Sequence, residues 1–148
     1  MIETDVALRP ATAADAPRIA ALFTEEGYPA GATSVASRLG RFDGPDSMVI
    51  VADHDGEILG FIALHVLPRF EHDDSFVRIV ALVVDSGVRE RGIGRVLMAE
   101  AERIGRERDA AFVEITAGHH RPAARKLYDS LGYDPTLTAY LRKRLQAG

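Results

Sequence analysis

Residues 75–84, SFVRIVALVV, are apolar at every position except Ser75 and Arg78. A run this short and this rich in valine and isoleucine reads as a strand, and apolar side chains at successive positions require cover on both of its faces. The chain must therefore fold with this strand in the middle of a layered domain. Directly after it comes VRERGIGRVLM, residues 88–98, which places two glycines and three arginines at the junction with the next element. From Ile93 onward Val96, Leu97, Ala101 and Ile104 recur on one helical face, while Glu100, Glu102, Arg103 and Arg106 lie elsewhere, so that element is an amphipathic helix.

The other elements are read around this unit. VALRPATAADAPRIAALFTEEG, beginning at Val6, reads as a strand followed by a helix: Thr12 can cap, Asp15 sits three later, and Ile19, Leu22 and Phe23 share a face before Gly27. A second helix is expected over 34–42, where Val35, Leu39 and Phe42 recur at helical spacing ahead of the Gly44-Pro45 break. Residues 47–67 hold two apolar strands about Asp55-Gly56, a strong hairpin signal, so the two should pair antiparallel. PRFEHDD, 68–74, is a polar connector. AFVEITA, 111–117, is a further strand; RPAARKLYDSLGY, 121–133, is a further helix with Pro122 in its first turn and Gly132 as terminator. TAYLRKRL, 138–145, is expected to be a last, exposed strand. Without a repeat, a low-complexity tract or a linker, a single domain over 1–148 is expected.

Composition narrows the chemistry. With 47% hydrophobic and 27% charged residues the 148-residue chain can build one core. No apolar stretch is long enough to span a bilayer and the first residues lack the pattern of a signal peptide, so no membrane partner and a cytoplasmic location are expected. The absence of cysteine removes disulfides, thiolate metal sites and a cysteine nucleophile. A formal net charge of -4 gives no broad field for polyanions, and LRKRL at 141–145 lacks aromatic platforms, so no nucleic acid is expected. His119 and His120 are adjacent in a loop with no third ligand at a recognised spacing, so no metal is expected.

A local basic patch can still hold a small anion. In the R-x-x-G-x-G spacing from Arg89 to Gly94, Gly92 and Gly94 leave the backbone bare, and the first turn of the following helix has amide hydrogens without internal partners. An anion there meets the positive end of the helix dipole, worth about 0.3–1 kcal/mol exposed and up to about 2 when partly buried. Arg89, Arg91 and Arg95 add charge, and a diphosphate suits such a cradle. The competing reading is a tight structural turn with solvated arginines. A Rossmann fingerprint would need glycine where Leu97 stands, and a Walker loop needs Gly-Lys-Ser/Thr, which is absent.

Through LVV at 82–84, RERGIG at 89–94 and ARKLYDSLGY at 124–133, with an opening LRPATAADAPRIAALF, the sequence resembles the GNAT superfamily of N-acetyltransferases over most of its length. The resemblance implies an α/β domain of mixed α+β character: a central, mixed, mostly antiparallel sheet flanked by helices and splayed between the strands at 76–84 and 111–117. It implies that Arg89, Glu90, Arg91, Gly92, Ile93, Gly94 and Arg95 wrap the pyrophosphate of acetyl-coenzyme A. Leu82, Val83 and Val84 would offer main-chain groups to the acetyl-pantetheine arm. Tyr128, which composition alone would leave as a core tyrosine on the stripe Ala124, Leu127, Tyr128, Leu131, matches the family tyrosine that protonates the leaving thiolate. An ordinary phenol pKa of about 10 keeps such an acid protonated at neutral pH.

Two departures matter. Several family members carry a glutamate base on the strand before the cradle, and the corresponding position here is Arg78. Glu71, His72, Asp73 and Asp74 lie upstream and could act through water, but they read as a solvated acidic loop first, so no base is named. Arg121 stands where many relatives have asparagine. Tyr28 and Arg78 are acceptor-site candidates, Arg78 being equally a structural ion-pair partner. The resulting expectation is acetyl transfer to a small-molecule or peptide amine, with a noncatalytic acyl-coenzyme A binding module as the alternative. Homodimers are common in the family, and no feature of the sequence decides for or against one here.

Overall fold

The computed structural model describes residues 5–88, 91–116 and 122–146. Strands β1 (Ala7–Pro10), β2 (Ser47–His54), β3 (Glu57–Pro68), β4 (Ser75–Val84) and β5 (Ala110–Ile115) form one open sheet in chain order. The first four pair antiparallel, and β4 pairs parallel with β5. The sheet is thus mixed and mostly antiparallel. The β2–β3 turn places Asp55 at φ +50° and Gly56 at +91°, the paired left-handed residues that let a two-residue turn follow the twist of its strands.

Helices cover both faces, as the apolar run in β4 requires. On one face α3 (Ile93–Glu107) brings Ile93, Leu97, Met98 and Ala101 onto Ile62, Leu64, Val77 and Ile79, and α4 (Pro122–Ser130) adds Tyr128. On the other, Ile19 and Leu22 of α1 (Ala16–Glu25) and Val35 of α2 (Ala32–Leu39) pack on Val51, Phe61 and Val83. Each of these side chains is buried, at about 1.5–3 kcal/mol per aliphatic or aromatic group relative to exposure. The strand and α1 are linked through a charged corner. Arg9 donates to both oxygens of Asp15, at 2.8 and 3.0 Å, and to Asp53 at 3.0 Å, while Thr12 N donates to Asp15 at 2.7 Å. The Arg9 guanidinium holds the buried Asp15 carboxyl below its ordinary range against the opposing effect of burial.

Two expected elements differ. The second helix ends at Leu39 and passes into a single 3-10 turn, Gly40–Phe42, which still carries Phe42 against the sheet. Residues 138–145 form no strand, and Leu137, Tyr140, Leu141 and Leu145 are exposed. Alternation in LRKRL puts Lys143 between Leu141 and Leu145 on the same side, leaving too little apolar area to hold that face down. The Asp134 side chain, which accepts bonds from Thr136 N and Oγ1 at 2.8 and 2.6 Å, also turns the chain before a pairing can start.

Candidate active site

The last half of β4 has an open side. Pairing with β5 runs from Ser75 to Ile79, where Thr116 N donates to Ile79 O at 3.1 Å, and no described residue pairs with that side of β4 beyond it. The free stretch ends at the junction with α3. Its phase follows from the bond of Asp85 N to Leu59 O at 2.8 Å: in this register Ala81, Val83 and Asp85 exchange bonds with β3, whereas Leu82 and Val84 turn their N–H and C=O toward the gap. Val83 instead packs its side chain against α1 and α2.

A bulge sets which side chains face which helices. Ala63 opposes Ala81 and Leu64 opposes Ile79, so Val80 is an extra residue on β4. Before it, Val77 and Ile79 point to α3; after it, Leu82 and Val84 do. Val80 and Ala81 consequently both face the α1–α2 side, where they line a cavity of about 210 Å³ with Ile19, Phe23, Val35, Arg38, Phe42 and Phe61. Tyr28 stands at its border, edge-on to Phe23 with ring centroids 6.4 Å apart. The continuous apolar run concealed this bulge, because it carries no alternation whose phase could be seen to slip.

At the end of β4 the chain enters the cradle through a 3-10 turn, Ser86–Val88, tied to α1. Arg18 bonds Asp85 at 2.5 Å and Ile58 O at 3.0 Å, and Glu25 accepts from Ser86 N at 3.0 Å. Gly92 caps α3 at φ +89°, a left-handed conformation that costs other residues about 1–2 kcal/mol, and no side chain caps the helix among the described residues. The first bond back into the helix is Val96 N to Gly92 O at 2.9 Å, so the amides of Ile93, Gly94 and Arg95 have no partner within it. Arg91 is exposed beside them; Arg95 reaches α4, donating to Ser130 Oγ at 2.9 Å. Arg89 and Glu90 lie outside the described residues, as do Ala117, His119, His120 and Arg121.

Gly94 has a second role that its spacing did not reveal. A Cβ there would stand 3.0 Å from Leu127 Cδ2 and 3.7 Å from Val84, so its bareness lets α4 close on the start of α3 and the end of β4. That contact seats α4, which carries Tyr128 at the next position. Tyr128 is buried in the α3-side core, and its ring meets Tyr133 edge-on at 6.3 Å. Tyr133 itself is committed elsewhere: its hydroxyl donates to Glu102 at 2.9 Å, and burial, with that bond second, raises its pKa well above the ordinary phenol value. Gly60 was missed altogether. A Cβ there would lie 2.8 Å from Val83 O, and the available signal was a glycine inside an apolar strand.

Arg78 sits in a polar row across the sheet. Ser47, His65, Arg78 and Glu114 are successive register partners on β2 to β5. Ser47 Oγ and His65 Nδ1 are 2.8 Å apart, and Arg78 donates to Glu114 at 2.7 Å while lying over the Phe76 ring. Arg78 thus has a carboxylate partner, and its neighbour His65 stacks at 4.9 Å on Phe42, a cavity wall. Among the acidic connector residues, Asp74 is held by Arg69 at 2.6 and 2.8 Å, which lowers its pKa. It lies six residues before Val80, about 20 Å along a strand. Among the described residues no helix is long and apolar enough to cross a membrane, and no cluster of three or more metal-ligating side chains occurs.

Comparison with known proteins agrees with this fold. The profile of the Acetyltransferase (GNAT) family matches residues 16–133. An uncharacterised N-acetyltransferase, YhfO, of Bacillus subtilis (strain 168) is 30% identical over 135 residues, covering 86% of this chain and 89% of its own. An aminoalkylphosphonate N-acetyltransferase of Salmonella typhimurium is 32% identical over 83 residues, 56% of this chain and 54% of that protein. The crystal structure of a transcriptional regulator from Bacillus halodurans C-125 superposes with a TM-score of 0.82 at 20% identity, over 94% of this chain and 99% of that one, a likeness of fold.

Proposed function

Because the chain belongs to the GNAT acetyltransferase family, we propose that it transfers the acetyl group of acetyl-coenzyme A to a primary amine of a small molecule or peptide, by direct attack in a ternary complex. The observation that carries this reading is the continuity of donors. The open side of β4, with Leu82 and Val84 turned into the gap, leads straight to the uncapped amides of Ile93, Gly94 and Arg95. An extended arm ending in a diphosphate matches that geometry, with the arm along β4 and the diphosphate against Gly92, Ile93 and Gly94. Arg91 and Arg95, with Arg89 and Glu90 of the same motif, complete the cradle.

The coenzyme supplies an activated acetyl thioester; the chain supplies position. Fixing acetyl group and amine together can lower the barrier by about 7–11 kcal/mol, more than the roughly 3–5 kcal/mol of general acid–base help. Leu82 and Val84 N–H are the donors available to the carbonyl oxygen as it gains charge. Tyr128, adjacent to the Gly94–Leu127 contact, donates its proton to the departing sulfur. The acceptor enters from the α1–α2 side, where Val80 and Ala81 border the cavity and Tyr28 and Arg78 flank it. The acceptor in the name of the Salmonella relative is likewise a small amine.

A specific observation favours the noncatalytic alternative: β4 carries Arg78, already paired with Glu114, where several family members have a basic glutamate. Thiol release from acetyl-coenzyme A, measured against polyamines, aminoglycosides, amino acids and peptide amino termini, separates the two. Turnover with any amine supports the enzyme; tight coenzyme binding with no turnover across the panel supports the module.

A further inference from the structure

Five arginines are partly buried among the described residues: Arg9, Arg18, Arg38, Arg69 and Arg78. Four are matched by carboxylates, Arg9 by Asp15 and Asp53, Arg18 by Asp85, Arg69 by Asp74 and Arg78 by Glu114, each within 3.0 Å. Arg38 is the exception, with no side-chain hydrogen bond or ion pair to any described residue. Among the described residues it is also the one charged side chain lining the cavity beneath Val80 and Ala81. The rest of that lining is apolar, so Arg38 contributes its apolar stem to the wall.

We propose that Arg38 binds an oxyanion of the acceptor, so that the substrates are amines whose short apolar carbon body bears a carboxylate or phosphonate. This rests on the acetyl-transfer reading and adds the substrate class. The cavity, about 210 Å³, equals roughly seven water volumes and admits a body of a few carbons. Its walls, including Phe23, Phe42 and Phe61, reward an apolar body, while no described residue lining it carries negative charge. A planar guanidinium can grip a carboxylate through two parallel bonds and a phosphonate equally well. The amine then faces Val80 and Ala81, beside the open edge of β4.

The test uses matched pairs: amino acids with one to four carbons between amine and carboxylate, each beside the amine lacking the acid group, and aminoalkylphosphonates of the same lengths. The intact protein is expected to show kcat/KM about 10- to 100-fold higher for the acidic member of at least one pair, the range of a charge-assisted bond. Arg38→Met should abolish that preference, lowering kcat/KM for the acidic member far more than for its neutral partner, and Arg38→Lys should restore part of it. A preference confined to phosphonates or to carboxylates identifies the group. Equal rates for both members of every pair, or an equal loss on both in Arg38→Met, overturn the proposal while acetyl transfer stands. If no amine is acetylated the catalytic reading fails, and calorimetric binding of the same pairs to coenzyme-loaded protein still reads the preference; equal affinities there overturn it.

Discussion

The two faces of the sheet are built differently and encoded differently. On the α3–α4 face, a short local stretch holds the features of the proposed anion site: Gly92 in a left-handed conformation, uncapped amides behind it, and Gly94 bare enough for α4 to close over the end of β4. On the α1–α2 face, the cavity gathers Ile19, Val35, Phe42, Phe61 and Val80 from five separate segments, and none of them is distinctive by type. Main-chain chemistry needs particular residues at particular spacings, whereas an apolar wall needs only volume. The difference explains why the proposed coenzyme side can be read from a motif and the proposed acceptor side only from the fold.

The sharpest way to break this division is Gly92→Val. A branched residue cannot hold φ +89° without strain, so the helix start must move and the amides lose their aim. Coenzyme affinity should fall about 100- to 10,000-fold, the worth of two charge-assisted bonds, as measured by calorimetry on protein whose circular dichroism is unchanged. A loss below threefold would make Gly92 a turn residue only. Next in size, Tyr128→Phe should slow turnover about 100-fold while leaving coenzyme affinity within about twofold, read by single-turnover kinetics. Unchanged turnover would return Tyr128 to packing.

The opposite face should respond in the acceptor alone. Phe42→Ala removes a cavity wall, so KM for small acceptors should rise about 10-fold and bulkier amines should gain relative to them, with coenzyme affinity unchanged. If coenzyme affinity falls in step, the two faces are not independent.

Stability offers a smaller test, outside both sites. Arg9 lowers the Asp15 pKa, so their interaction contributes fully above the unfolded carboxylate value of about 3.9 and is lost as pH falls through the lower folded value. Unfolding free energies from urea titrations at pH 7 and below pH 3 should therefore differ less in Arg9→Met than in the parent, by about 1–3 kcal/mol. An identical acid loss in both would remove the corner from consideration.

Legibility followed the same physical line. The strand at 75–84, the helix from Ile93, the Asp55-Gly56 turn and the apolar stripe carrying Tyr128 each rest on local periodicity or turn chemistry, and each is present. The Val80 bulge was invisible because every neighbour is apolar. The partners of Arg78 and Arg18 depend on register and on a contact 67 residues apart, which no spacing encodes. The segment at 138–145 misled in the other direction, since alternation was present without enough apolar area to use it.

The continuity of donors from β4 to α3 is tested most directly by calorimetry with two thioesters, acetyl-coenzyme A and acetyl-pantetheine, which lacks the diphosphate. Saturable binding of the first, at least about 100-fold tighter than the second and lost in Gly92→Val, is the predicted result. Equal affinity for the two, or no saturable binding of acetyl-coenzyme A by the folded protein, would contradict it.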